Sequence, residues 1–302
     1  MKLPEYFKVK AYAPGHVTGV FSIYDEYEDP AQRGSRGIGF STDMGAVATV
    51  VGKKSKEIDV SAKYNYGKAK TTEIGVKQLL ENYDLKYKVE IEIKTSLPVS
   101  QGFGMSASGT LAALFGITKA LKIKEEEALK YAHFAEIYSG TGLGDVVAEW
   151  IGGFEVRVLP GIPPYGMVER VRNVPKNLKI VLAVVDEPIK TRTIIKSEGY
   201  KEKINSFGDD LIEEFLDSDQ SIEEFASLSY EFAMELGLIS EKMHSIIREL
   251  WHNGIYASQC MLGGSIFAFG KEAEDIFIDL GIEEVYVCGV GKGPKILEMR
   301  RE

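Results

Sequence analysis

Cysteine is nearly missing from this 302-residue chain: Cys260 and Cys288 stand far apart and fit no metal-ligand spacing. That sets aside a disulfide scaffold. Both thiols fall in apolar, strand-like runs and are expected buried and reduced, as in a cytoplasmic protein. Positive charge is also scarce, with 36 Lys and Arg against 45 Asp and Glu and a formal net charge of −9. Nucleic acid and anionic membrane are poor partners for that balance. No G-x-x-x-x-G-K-[ST] run occurs, which excludes a P-loop nucleotide site. Repeats and low-complexity tracts are absent, and residues 1–10 hold no apolar h-region, so no secretory signal is expected. The uncharged run Thr95 to Thr118 could span a bilayer by length. Pro98, Ser100, Gln101, Ser106 and Ser108 interrupt it, whereas a membrane helix is apolar throughout. It reads instead as a loop feeding a helix.

What is present is ordinary globular composition, 44% hydrophobic and 27% charged. The length suggests about two domains. Phe7 to Tyr12, Ala46 to Val51 and the alternating Tyr87 to Lys94 read as strands. Thr72 to Tyr83, Met105 to Leu121 and Glu125 to Tyr138 read as helices, and Phe154 to Leu159 returns as a strand. Pro160 to Gly166 (PGIPPYG) is the best boundary, giving domains 1–160 and 161–302. Beyond it, Leu178 to Val185 reads as a strand. Helices follow over Glu198 to Leu216, Ser221 to Leu236 and Ser240 to Trp251, with Ser221 and Glu224 spaced as a capping box. Ser265 to Phe269, Val285 to Val290 and Pro294 to Met299 are strands, with a helix over Lys271 to Leu280. This order indicates an α+β protein.

Leu97 to Ala113 (LPVSQGFGMSASGTLAA) follows a strand and opens a helix. Gly102 and Gly104 let the backbone approach a ligand closely, and Ser106 and Ser108 set hydroxyls beside the first helical N–H groups. A helix start carries unpaired donors and partial positive charge, so a phosphate could be cradled there without lysine. The same pattern also suits a plain capped helix after a turn. The late run Gly289 to Gly293 opens no helix and reads as a turn between strands.

Three further segments accompany the loop. Ala13-Pro14-Gly15-His16-Val17-Thr18-Gly19 comes early, Glu136 precedes Ser139-Gly140-Thr141-Gly142-Leu143-Gly144-Asp145, and Met261-Leu262-Gly263-Gly264-Ser265 comes late. In this order the chain resembles the GHMP kinases, whose loop P-x-x-x-G-L-G-S-S-A is similar to Pro98 to Ala107. Met105 replaces the first serine of that pattern, and the third segment has fewer glycines than usual. Within the family it looks most like the archaeal pantoate kinases, from His16, the segment Asp29-Pro30 through Gly39, and the Met-Leu-Gly run.

The resemblance implies a ribosomal-protein-S5-like N-terminal domain and a ferredoxin-like C-terminal domain. It implies ATP and Mg2+ as cofactors, pantoate as acceptor on the way to coenzyme A, and a homodimer. Pro98, Gly102, Phe103, Gly104, Met105, Ser106, Ala107 and Ser108 would bind the nucleotide. Ser106 and Glu136 would hold magnesium, which prefers hard oxygen ligands. Asp145 would be catalytic, as proton acceptor or as orienter of the attacking hydroxyl. His16, Ser35, Arg36, His133, Arg157, Thr191 and Gly263 would serve the substrate, with Arg157 forking onto its carboxylate. Taken singly, Glu136 also suits a solvated helix face, Asp145 a helix cap and His133 a core position. An acceptor of mevalonate or homoserine type, and a non-catalytic ligand-binding relative, are the rival functions.

Overall fold

The computed structural model describes residues 3–65, 67–188 and 198–302. Thr191, expected at the substrate, lies outside the described residues. Two long strands, β1 (Tyr6–Tyr24) and β2 (Gly34–Lys54), pair antiparallel over almost their full length, from Tyr6 opposite Lys53 to Tyr24 opposite Gly34. The sequence predicts much shorter strands here. The first half of β1 alternates buried and open residues, as a one-sided strand should, but from Ala13 to Ile23 every residue is buried. Burial on both faces erases the period-2 signal. Register shifts at Ala13/Gly15 and Thr18/Val20 bend the pair, and the first accommodates Pro14, which has no N–H to give.

Around this hairpin the first sheet runs β12 (Lys295–Arg301), β1, β2, β5 (Tyr87–Thr95), β3 (Asp59–Tyr64), β4 (Gly67–Lys68). The far end of β2 also pairs with β6 (Phe154–Leu159), which carries β7 (Met167–Arg170). Helices α1 (Lys70–Asn82) and α2 (Met105–Leu121) pack on this sheet, and α3 (Glu126–Ser139) packs against both helices. Val9, Val50, Ile91 and Ile93 meet Leu111, Leu114 and Ile117 in that core. Helix α2 is buried nearly all round, which accounts for the absence of charge before Lys119 in its last turn. A short helix, α4 (Asp145–Ile151), leads into β6.

The second sheet has the order β11 (Glu284–Gly289), β8 (Lys179–Val184), β10 (Ser265–Phe269), β9 (Ala257–Gln259). Counted within this sheet, the order is 4-1-3-2 with every pair antiparallel, the ferredoxin-like arrangement. Helices α5 (Glu198–Asp217), α6 (Ile222–Leu236), α7 (Glu241–His252) and α8 (Ala273–Asp279) complete this half. The Ser221 hydroxyl accepts the N–H of Glu224 at 3.1 Å, as the capping box predicts. A division at residue 160 is not followed by the strands: β7 and β12 both belong to the first sheet. The halves also share one aromatic core, in which Phe40 and Phe154 of the hairpin sheet stack at 5.0 Å and Phe40 meets Phe267 at 5.4 Å. Among the described residues no helix is long and apolar enough to cross a membrane.

Candidate active site

The loop after β5 turns sharply before α2, with Ser100, Gly102 and Gly104 all in left-handed backbone. Gly104 is the cap of α2 at φ +68°, and no side chain caps that helix. Its first N–H groups are therefore left for a ligand. The loop is fixed from behind. Gln101 accepts from Gly264 N–H at 3.0 Å, donates to the Asp186 carbonyl at 3.1 Å, and its own carbonyl accepts from Ser265 Oγ at 2.6 Å. The late Gly-rich segment thus braces this loop. Gly263 serves in this brace, since a Cβ there would lie 2.2 Å from the Gln101 carbonyl oxygen.

A cavity of about 820 Å³ opens over this loop. Gly102 to Ala107, Glu136, Gly142 to Asp145, Thr18, Ser35 and Arg157 line it, with Met261 and Leu262 at one side. Ser106 Oγ donates to Glu136 Oε1 at 2.7 Å. Glu136 is 3% exposed, so the solvated-face alternative fails. Burial, opposed by hydrogen bonds from Ser106 and Thr141, pushes its pKa up to about 7. No described lysine, arginine or histidine pairs with it. A Cβ on Gly142 would stand 2.9 Å from Glu136 Oε2 and 3.4 Å from Asp145 Oδ2, so the glycine keeps clear a space that both carboxylates border. A buried carboxylate with no cation, beside a hydroxyl, fits a hard divalent ion. Among the described residues no group of three or more His, Cys, Asp or Glu is placed to hold a metal alone. Such an ion would complete its shell with phosphate oxygens and water.

Gly144 is the cap of α4 and Asp145 its first helical residue, so the cap position is not the one Asp145 holds. His16 Nδ1 lies 2.9 Å from Asp145 Oδ1, and His16 Nε2 lies 2.9 Å from Glu155 Oε1. Arg157 Nη1 donates to the same Glu155 oxygen at 2.6 Å, and Nη2 to Thr18 Oγ1 at 3.3 Å. Burial works against a charged imidazole, but the Glu155 charge and the hydrogen bonds donated to both carboxylates outweigh it and raise the His16 pKa. Burial likewise favours a neutral Asp145, yet the His16 hydrogen bond and charge, with Arg157, hold its pKa below the usual value. Both shifts favour an ionised Asp145 held by a protonated His16, and 32% of the Asp145 side chain is open.

Several expected site residues sit elsewhere. His16 does not line the cavity; it stands against Asp145 and is 1% exposed. Ser108 Oγ donates to the Ala13 carbonyl at 2.9 Å and accepts from Ala46 N–H at 2.8 Å, tying α2 to the hairpin rather than facing a nucleotide. His133 is buried with Nε2 at 3.1 Å and 2.9 Å from the Pro30 and Arg33 carbonyls, so it anchors the hairpin loop and is not a cavity wall. Arg36 donates to the Val158 carbonyl at 2.9 Å and to Asp209 at 3.0 Å, clamping α5 to the hairpin. Pro98 precedes the lining part of the loop. Glu155 and Glu149 were not singled out by the sequence, and Thr18 only as part of the early segment Ala13 to Gly19. A signal exists for the first: in the apolar strand Phe154 to Leu159, Glu155 and Arg157 are two apart and so share a face.

Residues 70–153 match the family of GHMP kinases N terminal domain. The chain is 34% identical to the pantoate kinase of Methanocaldococcus jannaschii, covering 86% of this chain and 92% of that one. It is 31% identical to the pantoate kinase of Methanospirillum hungatei over 97% and 98% of the two chains. A solved structure described as a phosphotransferase related to the CoA biosynthesis pathway superposes with a TM-score of 0.84 at 24% identity, covering 96% of this chain and 98% of that one. Motif order, fold and full-length likeness agree: the chain belongs to the GHMP kinase family, enzymes that use ATP and Mg2+.

Proposed function

We propose that this protein is a pantoate kinase, moving the terminal phosphoryl group of ATP onto the primary hydroxyl of pantoate in the supply of coenzyme A. The observation that carries the reading is the convergence of the Ser106–Glu136 pair, Asp145 and Arg157 on one cavity above the uncapped start of α2. Full-length likeness to two pantoate kinases selects the acceptor. The unpaired, buried cysteines suit a cytoplasmic setting.

In this reading the N–H groups of the loop and first turn of α2 hold the triphosphate. Ser106 and Glu136 hold magnesium, which when bound neutralises charge on the phosphate oxygens. Arg157 takes the pantoate carboxylate; its Nε makes no hydrogen bond, so one donor is uncommitted. Asp145 accepts a hydrogen bond from the pantoate hydroxyl, directs its oxygen at the phosphorus, and takes the proton as the new O–P bond forms and the bond to the departing ADP oxygen breaks. Phosphoryl transfer needs little basicity from its acceptor and much from orientation, so an Asp held ionised by His16 is adequate. The test is ADP release with pantoate, mevalonate and homoserine as separate acceptors. Turnover is expected with pantoate; turnover confined to either of the others overturns the reading.

A further inference from the structure

Glu155 is the one charged group in the buried cluster that the reaction itself leaves without a task. Asp145, His16, Glu155 and Arg157 alternate in sign along contacts of 2.9, 2.9 and 2.6 Å. His16, Glu155 and Arg157 are each 1% exposed or less. Only the Asp145 end is substantially open. We propose that Glu155 is a positioning residue: it keeps His16 doubly protonated, and so keeps Asp145 ionised and aimed, while fixing Arg157 in the cavity wall. The inference rests on the pantoate-kinase reading for the identity of the acceptor and on geometry for the rest.

The argument is one of charge. A neutral imidazole has one N–H, yet both ring nitrogens of His16 face carboxylate oxygens, so only the imidazolium can donate to both. The groups that face His16 are Asp145 on α4, Glu155 and Arg157 on β6, and the Thr18 hydroxyl on β1 at 3.5 Å. Glu149, also on α4, approaches Gly104 beside the His16 backbone N–H. Arg157 Nη1 is 3.5 Å from His16 Nε2. With Glu155 in place, two anions offset two cations. Without its charge, two adjacent buried cations share one anion, and of the two only histidine releases its proton readily. His16 then turns neutral, and its single N–H must choose between Asp145 and the residue at position 155. Asp145 loses its fixed direction even though Glu155 never touches substrate.

The experiment follows the imidazole carbon and nitrogen resonances of His16 in the full chain, without nucleotide, across a pH series. Kinetics with pantoate are measured on the same proteins. In Glu155→Gln the His16 midpoint is expected to fall by about one pH unit or more. Its kcat should fall on the order of 10- to 100-fold, with an altered pH profile, while the KM for ATP holds. In the His16→Gln background, adding Glu155→Gln should cost nothing more in kcat, because the two act as one unit. Glu155→Asp withdraws the carboxylate by one methylene and should give an intermediate midpoint, which supplies the same readout if Glu155→Gln does not fold. An unchanged His16 midpoint, or kcat losses that multiply in the double variant, overturns the proposal. If the wild-type chain does not turn over pantoate, the acceptor assignment fails, while the His16 titration still decides the role of Glu155.

Discussion

Gly39 on β2 faces His16 on β1 so closely that a Cβ on the glycine would lie 2.5 Å from the imidazole Nε2. Two residues away, a Cβ on Gly37 would lie 2.3 Å from Arg157 Nη2. These two positions on one face of a strand clear the space in which the buried ionic cluster assembles. Gly39→Ala would also press on the Val17 carbonyl, 2.6 Å from the added carbon. The expected outcome is about 1–3 kcal/mol of lost stability from overpacking, together with a fall in kcat larger than that loss alone would produce. Urea unfolding and kinetics on the folded fraction separate the two. Wild-type kcat in a folded Gly39→Ala protein would mean that the imidazole position is immaterial.

Glu136 and Ser106 should set the cation requirement. Glu136→Gln keeps the shape and removes the charge, so the magnesium concentration for half-maximal rate is expected to rise on the order of 10- to 100-fold. Ser106→Ala should shift it in the same direction, and also leave Glu136 without its 2.7 Å donor. Titration of ADP release with MgCl2 at fixed ATP reads both. If the magnesium curves of the variants overlie that of the wild type, the ion is held elsewhere.

The loop before α2, Ser106, Glu136 and Asp145, which the fold brings to one cavity, could be singled out in the sequence because each lies in a short segment with a local pattern. A Gly-rich turn into a helix, or a carboxylate in a set order of motifs, can be read without knowing what packs on it. The buried cluster was not legible in that way. Glu155 and Arg157 join His16 across sequence gaps of 139 and 141 residues. Only the pairing of β6 with β2, which sets Gly37 opposite Arg157, brings β6 to that place. Local pattern also misplaced Ser108, whose hydroxyl looks like a ligand beside a helix start but is consumed by Ala13 and Ala46 of the hairpin. His133 has the same history, because its carbonyl partners lie in the loop between β1 and β2, 100 and 103 residues away. The long hairpin itself was hidden by its two-sided burial, which leaves no alternation to read.

Arg157 has two duties that substitution can separate. Truncation to Ala leaves Glu155 buried beside His16 with its second cation gone, and breaking a buried pair in this way costs about 3–5 kcal/mol. Arg157→Lys keeps the charge near Glu155 but loses the planar fork. The Lys variant is therefore expected to fold, to show a KM for pantoate raised by about tenfold or more, and to keep the wild-type KM for ATP. Asp145→Asn should do the reverse, leaving both KM values near wild type while kcat collapses. Steady-state kinetics with each substrate varied in turn will discriminate, and a Lys variant with unaltered pantoate KM removes Arg157 from the acceptor site.

Glu149 gives a prediction whose sign can be worked out. Both of its carboxyl oxygens are buried and without a partner, and one approaches Gly104, where a Cβ would meet it at 2.6 Å. Burial first, then the charges of Asp145 and Glu136, raise its pKa well above 4.5. In the unfolded chain the group ionises near its ordinary value, so above that pH folding must take up a proton. Stability therefore falls as pH rises, by up to about 1.4 kcal/mol per pH unit, until the folded-state pKa is reached. His16 has a raised pKa too, and its contribution is likewise present at low pH and lost as pH rises through the folded value. That term is common to the wild type and Glu149→Gln and largely cancels between them. The amide cannot ionise, so the variant escapes the Glu149 penalty. Its stability relative to the wild type should be level below about pH 4 and should climb steadily from there toward neutrality. Urea midpoints at a series of pH values measure the gap directly. A gap that stays constant from acid to neutral pH would show that Glu149 keeps its ordinary pKa in the folded protein, and that the floor beneath the phosphate loop is wet rather than sealed.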